Sequence, residues 1–178
     1  DYVKQNPGQF TYATTGVGSQ PHIAMEVINA SAGVQTQAVP FESGAQQVSA
    51  LLGGHVQGAV LTPDVAKPHF EAGAIRPLAV AGENTVEVYK GVPTFAEMGI
   101  DAGRNMYIGI LAPKGLPQDV LTILHDAFKQ TLEDPEVSEQ IRKVDLEPSY
   151  AGPEEFQQDI TETYHISGEI LKNLGLID

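Results

Sequence analysis

The sequence predicts an α/β fold built on a mostly parallel sheet, and three observations carry that prediction. Short apolar stretches at residues 9–13, 35–39 and 56–61 alternate with segments whose apolar residues recur at helical spacing. Each stretch runs into a turn of small or hydroxylated residues before the next helical segment: Thr14 to Ser19, Phe41 to Gly44, and Thr62 to Asp64. Finally, Pro77 to Ala81 is a continuous apolar run, the signature of a strand covered on both faces. Parallel sheets bind ligands beyond the carboxyl ends of their strands, which is where these turns fall.

Taken in order, Asp1 to Asn6 is the tail of a helix, ended by Pro7-Gly8. Gln9 to Ala13 is the first strand. Ser19 to Ala32 is a helix by the spacing of Ile23, Val27 and Ile28, and Gly33 is its stop. Gln35 to Val39 is the second strand, kept extended at its end because Pro40 disfavours the α region for the residue before it. A helix with Val48, Leu51 and Leu52 on one side follows and closes at Gly53-Gly54. Val56 to Leu61 is the third strand, after which a helix runs from Thr62-Pro63-Asp64 toward Phe70 and stops at Gly73.

Beyond Gly82 the pattern loosens. Gly91 to Gly99 is a loop with one helical turn, and Met106 to Leu111 is a further apolar strand. Pro117 begins a helix with Val120, Leu124, Phe128 and Leu132 on its apolar face. Glu133-Asp134-Pro135 restarts a short helix holding Val137 and Ile141. The last helix opens at Gly152-Pro153-Glu154-Glu155, where proline and acids both suit a helix N-terminus.

The stretch richest in chemistry is Phe10 to His22, FTYATTGVGSQPH. The first turn of a helix carries N–H groups with no intrahelical partner and the positive end of the helix dipole, so a carboxylate or phosphate is its natural guest. Gly16 and Gly18 allow positive φ and close approach, and Thr14, Thr15, Ser19 and His22 add side-chain donors or acceptors. Ser19 is the expected N-cap, with His22 at the third helical position. Ser43-Gly44 and Thr62 are hydrogen-bonding groups at the other two strand ends. For each of these the competing role is local: a helix cap, or a turn whose glycines serve geometry.

Other chemistries find less support. Gly16-Val17-Gly18-Ser19-Gln20-Pro21 begins like a dinucleotide fingerprint but has Pro21 where the third glycine belongs, and there is no phosphate-binding GxxxxGK[ST] loop. No GxSxG nucleophile elbow occurs. Glu162 and His165 make a single E-x-x-H pair, where a di-iron site needs two pairs and further carboxylates. His125 and Asp126, as sequence neighbours, are expected to point different ways on their helix. Zero cysteines leave no thiolate metal site, disulfide or cysteine nucleophile, and suit an exported protein. No cofactor or metal is expected.

With 10 Lys plus Arg against 23 Asp plus Glu, the 178-residue chain has a formal net charge of -13, the wrong sign for a nucleic-acid groove. The same field repels anions at long range, so any bound anion must be held by local, well-aimed donors. No run of about 18 apolar residues is present, so the chain is not expected to be membrane-embedded. The polar start DYVKQNPGQF is unlike a signal peptide and is expected to lie inside a longer chain.

Several segments together resemble the Bug/TctC family, the extracytoplasmic solute receptors of tripartite tricarboxylate transporters. They are NPGQFTYATTGVGSQPH, VPFESGAQQVSALLGGHV, AGAIRPLAV, GVPTFAEMGI, YIGILAPKGLPQDVL, LEDPEV and GPEEF. The resemblance implies a two-lobed periplasmic binding protein of type II that captures a small di- or tricarboxylate without catalysis. It would deliver that ligand to a membrane permease. The family's serine- and glycine-rich turn falls on Thr14, Thr15, Gly16, Gly18, Ser19 and His22, and its Pro-aromatic-x-x-Gly loop on Pro40, Phe41 and Gly44. A family position often occupied by an Asp-Asn pair falls on Leu61 and Thr62, a departure that speaks against amino-acid ligands. Residues 1–9 are then a helix end and linker, 10–102 a complete ligand-binding lobe, and 103–178 the C-terminal part of the other lobe. That first lobe is incomplete, because the family's preceding stretch is absent. Met106 or Tyr107, near the crossing, would line the cleft or pack in a core. The alternatives are an effector-sensing domain of a transcription regulator, decided by what precedes Asp1, and a nucleotide-dependent α/β enzyme, decided by turnover.

Overall fold

The computed structural model describes residues 1–81, 89–100, 102, 107–144 and 146–178. These comprise α1 (Tyr2–Gln5), β1 (Phe10–Thr14), α2 (Gln20–Ala32), β2 (Thr36–Pro40), α3 (Gly44–Leu52), β3 (Gly58–Ala59), α4 (Pro63–Glu71), α5 (Gln118–Glu133), α6 (Pro135–Lys143) and α7 (Pro153–Asn173). The chain divides into two compact units, residues 1–105 with 162–178, and residues 106–161.

In the first unit a three-stranded sheet has the order β2-β1-β3. Both pairings are parallel, with Phe10 opposite Thr36, Thr14 opposite Pro40, and Ala13 opposite Ala59. β1 is therefore the central strand, and Tyr12, Ala13 and Thr14 are completely or almost completely buried. Ala13 joins Ala50 of α3 and Val56 in the core, with Val39, Phe41, Leu51 and Ala59 packed around them. Small residues at Ala13, Ala50 and Ala59 bring helix and sheet close together, and two glycines extend the same logic. A Cβ on Gly44 would stand 2.9 Å from Val65, where α3 meets α4, and one on Gly58 would stand 2.8 Å from the Phe10 ring.

α2 ends as its glycine predicts. Gly33 takes the left-handed conformation at φ 64°, and its N–H and that of Val34 return to the carbonyls of Ala30 and Asn29. Asn29, buried at the same end, exchanges hydrogen bonds of 2.9 and 3.1 Å with the Thr36 hydroxyl, which ties the helix end to the start of β2.

Three expected strands come out differently. The third is only Gly58–Ala59, because the Thr11 N–H is captured at 2.8 Å by the side chain of Gln57 instead of a ladder carbonyl. Backbone bonds from Gln57 to Thr11 and from Val60 to Ala13 still flank it. Among the described residues, Pro77 to Ala81 makes a single parallel bridge, Val80 with Thr94; Pro77 has no N–H to pair. In the second unit, Tyr107 to Leu111 form no strand, and Met106 lies outside the described residues. A strand needs a neighbour for its backbone, and Ile108, Ile110 and Leu111 are 81%, 65% and 75% exposed.

The second unit is otherwise helical. Asp134 caps α6 by accepting from the amides of Glu136 and Val137 at 2.8 and 3.2 Å. At the start of α7, Phe156 stands edge-on to Tyr107 at 5.2 Å and fills the space that a side chain on Gly109 would need. His125 and Asp126 do meet, against expectation. The imidazole swings sideways so that Nδ1 lies 2.9 Å from the Asp126 carboxylate, and the Tyr150 hydroxyl at 2.7 Å holds its other nitrogen.

Candidate functional site

Because all three strands are parallel, their carboxyl ends share one edge of the sheet, and the nine residues singled out by sequence lie at or just beyond it. Thr14, Thr15, Gly16, Gly18, Ser19 and His22 follow the central strand β1. Ser43 and Gly44 follow β2, and Thr62 follows β3.

The β1–α2 turn is tied together from within. Ser19 is the N-cap by backbone conformation, but its hydroxyl turns back and donates to the Gly16 carbonyl at 2.7 Å rather than to the helix amides. Its one proton being spent there, the hydroxyl of buried Thr14 is the donor in the 3.3 Å contact between the two. Gly16 and Gly18 have φ of 136° and 76°, conformations that side chains strain. The Gly18 amide donates to Nδ1 of His22 at 2.9 Å, so His22 is neither solvent-facing nor open to a ligand. Its other ring nitrogen faces Glu26, 3.8 Å away and one helical turn on. The His-x-x-x-Glu spacing is the signal that could have found Glu26 in the sequence. No local signal points to Leu171 and Leu176, whose methyl groups lie 3.3 and 3.6 Å from where a Cβ on Gly18 would be. They cover the turn from the end of the chain.

What stays open is narrower than the sequence implies. Among the described residues, the amides of Gly16 and Val17 have no hydrogen-bond partner. The side chains of Thr15 and Thr62 are exposed, and Thr62 heads α4 without using its hydroxyl as a cap. Ser43 takes the local role instead: it accepts from the Gln46 amide at 3.4 Å while the Gln46 side chain accepts from the Glu42 amide at 2.9 Å. Gly44 serves the close approach of α3 to α4.

Among the described residues, the buried Tyr12 hydroxyl and Gln47 amide nitrogen have no hydrogen-bond partner. Burial first, and then the Glu26 carboxylate, push the Tyr12 phenol well above the ordinary tyrosine range. A recess of about 510 Å³ in the second unit, between α5 and the start of α7, is lined by Glu154 and Glu155 and so disfavours anions. Among the described residues, no three His, Asp or Glu gather where a metal could sit, and no helix is long and apolar enough to cross a membrane.

Comparison with known proteins identifies the family and the fold. Residues 1–176 match the family described as tripartite tricarboxylate transporter family receptor, TctC. A relative from Cupriavidus necator, the UPF0065 protein in the gbd 5' region, is 36% identical over 175 residues, covering 98% of this chain and 53% of its own length. A TctC solute binding protein from Polaromonas shares the fold at a TM-score of 0.81 and 24% identity, over 96% of this chain and 59% of that one. An R. palustris protein solved with adipate superposes with a TM-score of 0.63 at 28% identity, over 98% and 57% of the two chains. The chain thus spans about half the length of the curated relatives it matches. The fold is that of periplasmic solute-binding proteins, a mixed α/β structure on a parallel sheet. The family it points to is one of solute-binding receptors and not of enzymes. By residues 1–176, this chain belongs to the TctC receptor family.

Proposed function

We propose that this chain is part of an extracytoplasmic receptor, working in the periplasm, that captures a small carboxylate and passes it unchanged to the permease of a tripartite tricarboxylate transporter. The observation that carries the reading is the β1–α2 turn. There the amides of Gly16 and Val17 lack partners among the described residues at the opening of a 13-residue helix, with the exposed Thr15 hydroxyl beside them. A carboxylate needs short-range donors of this kind, all the more on a chain of net charge -13. Thr62, from the end of β3, would add a hydroxyl. The adipate in the R. palustris neighbour supports a dicarboxylate as the ligand. In the same reading, residues 10–102 form one ligand-binding lobe and 103–178 belong to the other. The exposed Ile108, Ile110, Leu111 and Ile123 would be covered by the half of the protein that the relatives possess and this chain does not span.

The test is thermal melting of the full-length protein against mono-, di- and tricarboxylates, amino acids and nucleotides. A ligand at 100 times its Kd adds about 2.7 kcal/mol of stability, which is readily seen as a rise in Tm. A rise confined to di- or tricarboxylates is expected; a rise with nucleotides alone would overturn the reading. In calorimetry, Thr15→Val and Thr62→Val should each weaken binding by about 1 kcal/mol while leaving the melting temperature of the free protein in place.

A further inference from the structure

We infer that His22 is a proton-operated latch on the Gly18 amide, and through it on the β1–α2 turn; its effect on ligand affinity rests on the carboxylate reading above. The Gly18 N–H points at Nδ1 of His22 at 2.9 Å. A ring nitrogen that accepts a hydrogen bond carries no proton, so the imidazole is neutral and its proton sits on Nε2, on the side of Glu26. The amide in question belongs to the residue just before the N-cap of α2, outside the helix's own hydrogen-bond ladder. Here the protein's own side chain, 5% exposed, occupies that donor.

Adding a proton to Nδ1 sets two N–H groups against each other across 2.9 Å. The bond is lost, and either the ring or the peptide must turn away. Gly18 sits at φ 76°, a conformation from which a glycine reorients without a side-chain penalty. Protonation would therefore free a turn amide and place a cation beside it, and both changes favour an anion. The groups that face the ring from α2 are the Glu26 carboxylate, 3.8 Å from Nε2, which also accepts from Asn29 at 3.2 Å, and the N–H groups at the start of the helix. From β1, the Tyr12 phenol lies within the field of Glu26, and it stays neutral. The side chains that reach Gly18 from the end of the chain, Leu171 and Leu176, are apolar, and the Ser19 hydroxyl is committed to Gly16.

The experiment follows the Gly18 amide by ¹H–¹⁵N NMR of the full-length protein between pH 8.5 and 5, with the His22 Cε1–H signal as the record of protonation. The Gly33 amide, which closes the far end of α2, is the control. The Gly18 signal is expected to move, and its hydrogen exchange to speed up, in step with His22. In His22→Gln, whose amide oxygen still accepts from Gly18 but does not titrate, it should stay still. Adipate affinity by calorimetry should tighten about tenfold from pH 8 to pH 6 in the wild type and lose that dependence in His22→Gln. A Gly18 signal indifferent to His22 protonation overturns the latch, and this needs no variant to fold. Equal pH dependence of adipate affinity in both proteins overturns its link to the ligand. If no carboxylate binds at any pH, the carboxylate reading falls, and the amide titration still decides the latch.

Discussion

At the scale of single residues, four groups of the candidate site satisfy one another and leave the Gly16 and Val17 amides open among the described residues. Ser19, Thr14, Gly18 and His22 were all legible as turn chemistry in FTYATTGVGSQPH, but their partners were not. A hydroxyl at an N-cap position has several acceptors in reach, and only the folded turn selects the Gly16 carbonyl. Tyr12 shows the opposite case, a buried hydroxyl without a hydrogen-bond partner among the described residues. Tyr12→Phe should therefore leave stability unchanged or raise it by about 1 kcal/mol in urea unfolding. The same residue predicts a pH effect with a definite sign. Its folded pKa lies above the unfolded value near 10, so its contribution is complete below pH ~10 and lost as the solution becomes more alkaline. The wild type should thus lose more stability than Tyr12→Phe between pH 10 and 12, and parallel curves would show that the phenol does not titrate with unfolding.

At the scale of elements, glycines set how closely helices and strands approach. Adding a methyl at Gly44 drives it into Val65, so Gly44→Ala should cost about 1–3 kcal/mol, and Val65→Ala in the same chain should recover part of the loss. Additive effects in that double-mutant cycle would show that the two side chains do not meet. The helices were legible because apolar spacing, proline starts and glycine stops are local signals, and α2, α3, α5, α6 and α7 follow them. The strands were less so, for a strand exists only by virtue of its neighbour. PLAVA has the composition of a buried strand yet finds one bridge among the described residues, and Gln57 shortens β3 by offering its side chain where a carbonyl was expected. His125 and Asp126 were misjudged for a related reason: helical spacing says where Cβ atoms point, not how far a ring can swing when Tyr150 holds it.

At the scale of the molecule, the two units are unequal in what they bury. The sheet unit holds the buried residues of β1, α2 and α3, whereas α5, α6 and the start of α7 in the second unit have none among the described residues. Native-state hydrogen exchange should therefore find the amides of β1 the slowest and those of α5 and α6 faster by at least about tenfold. Comparable protection throughout would mean that the helices are covered in solution. The cover of Gly18 by Leu171 and Leu176 has a consequence of another kind, in time. The turn after β1 is roofed by side chains of α7 and the segment after it, far along the chain from β1. Contacts so distant in sequence close late, because the entropy of the intervening loop must be overcome before they form. The turn proposed to recognise the ligand thus acquires its final shape only when the rest of its unit has folded.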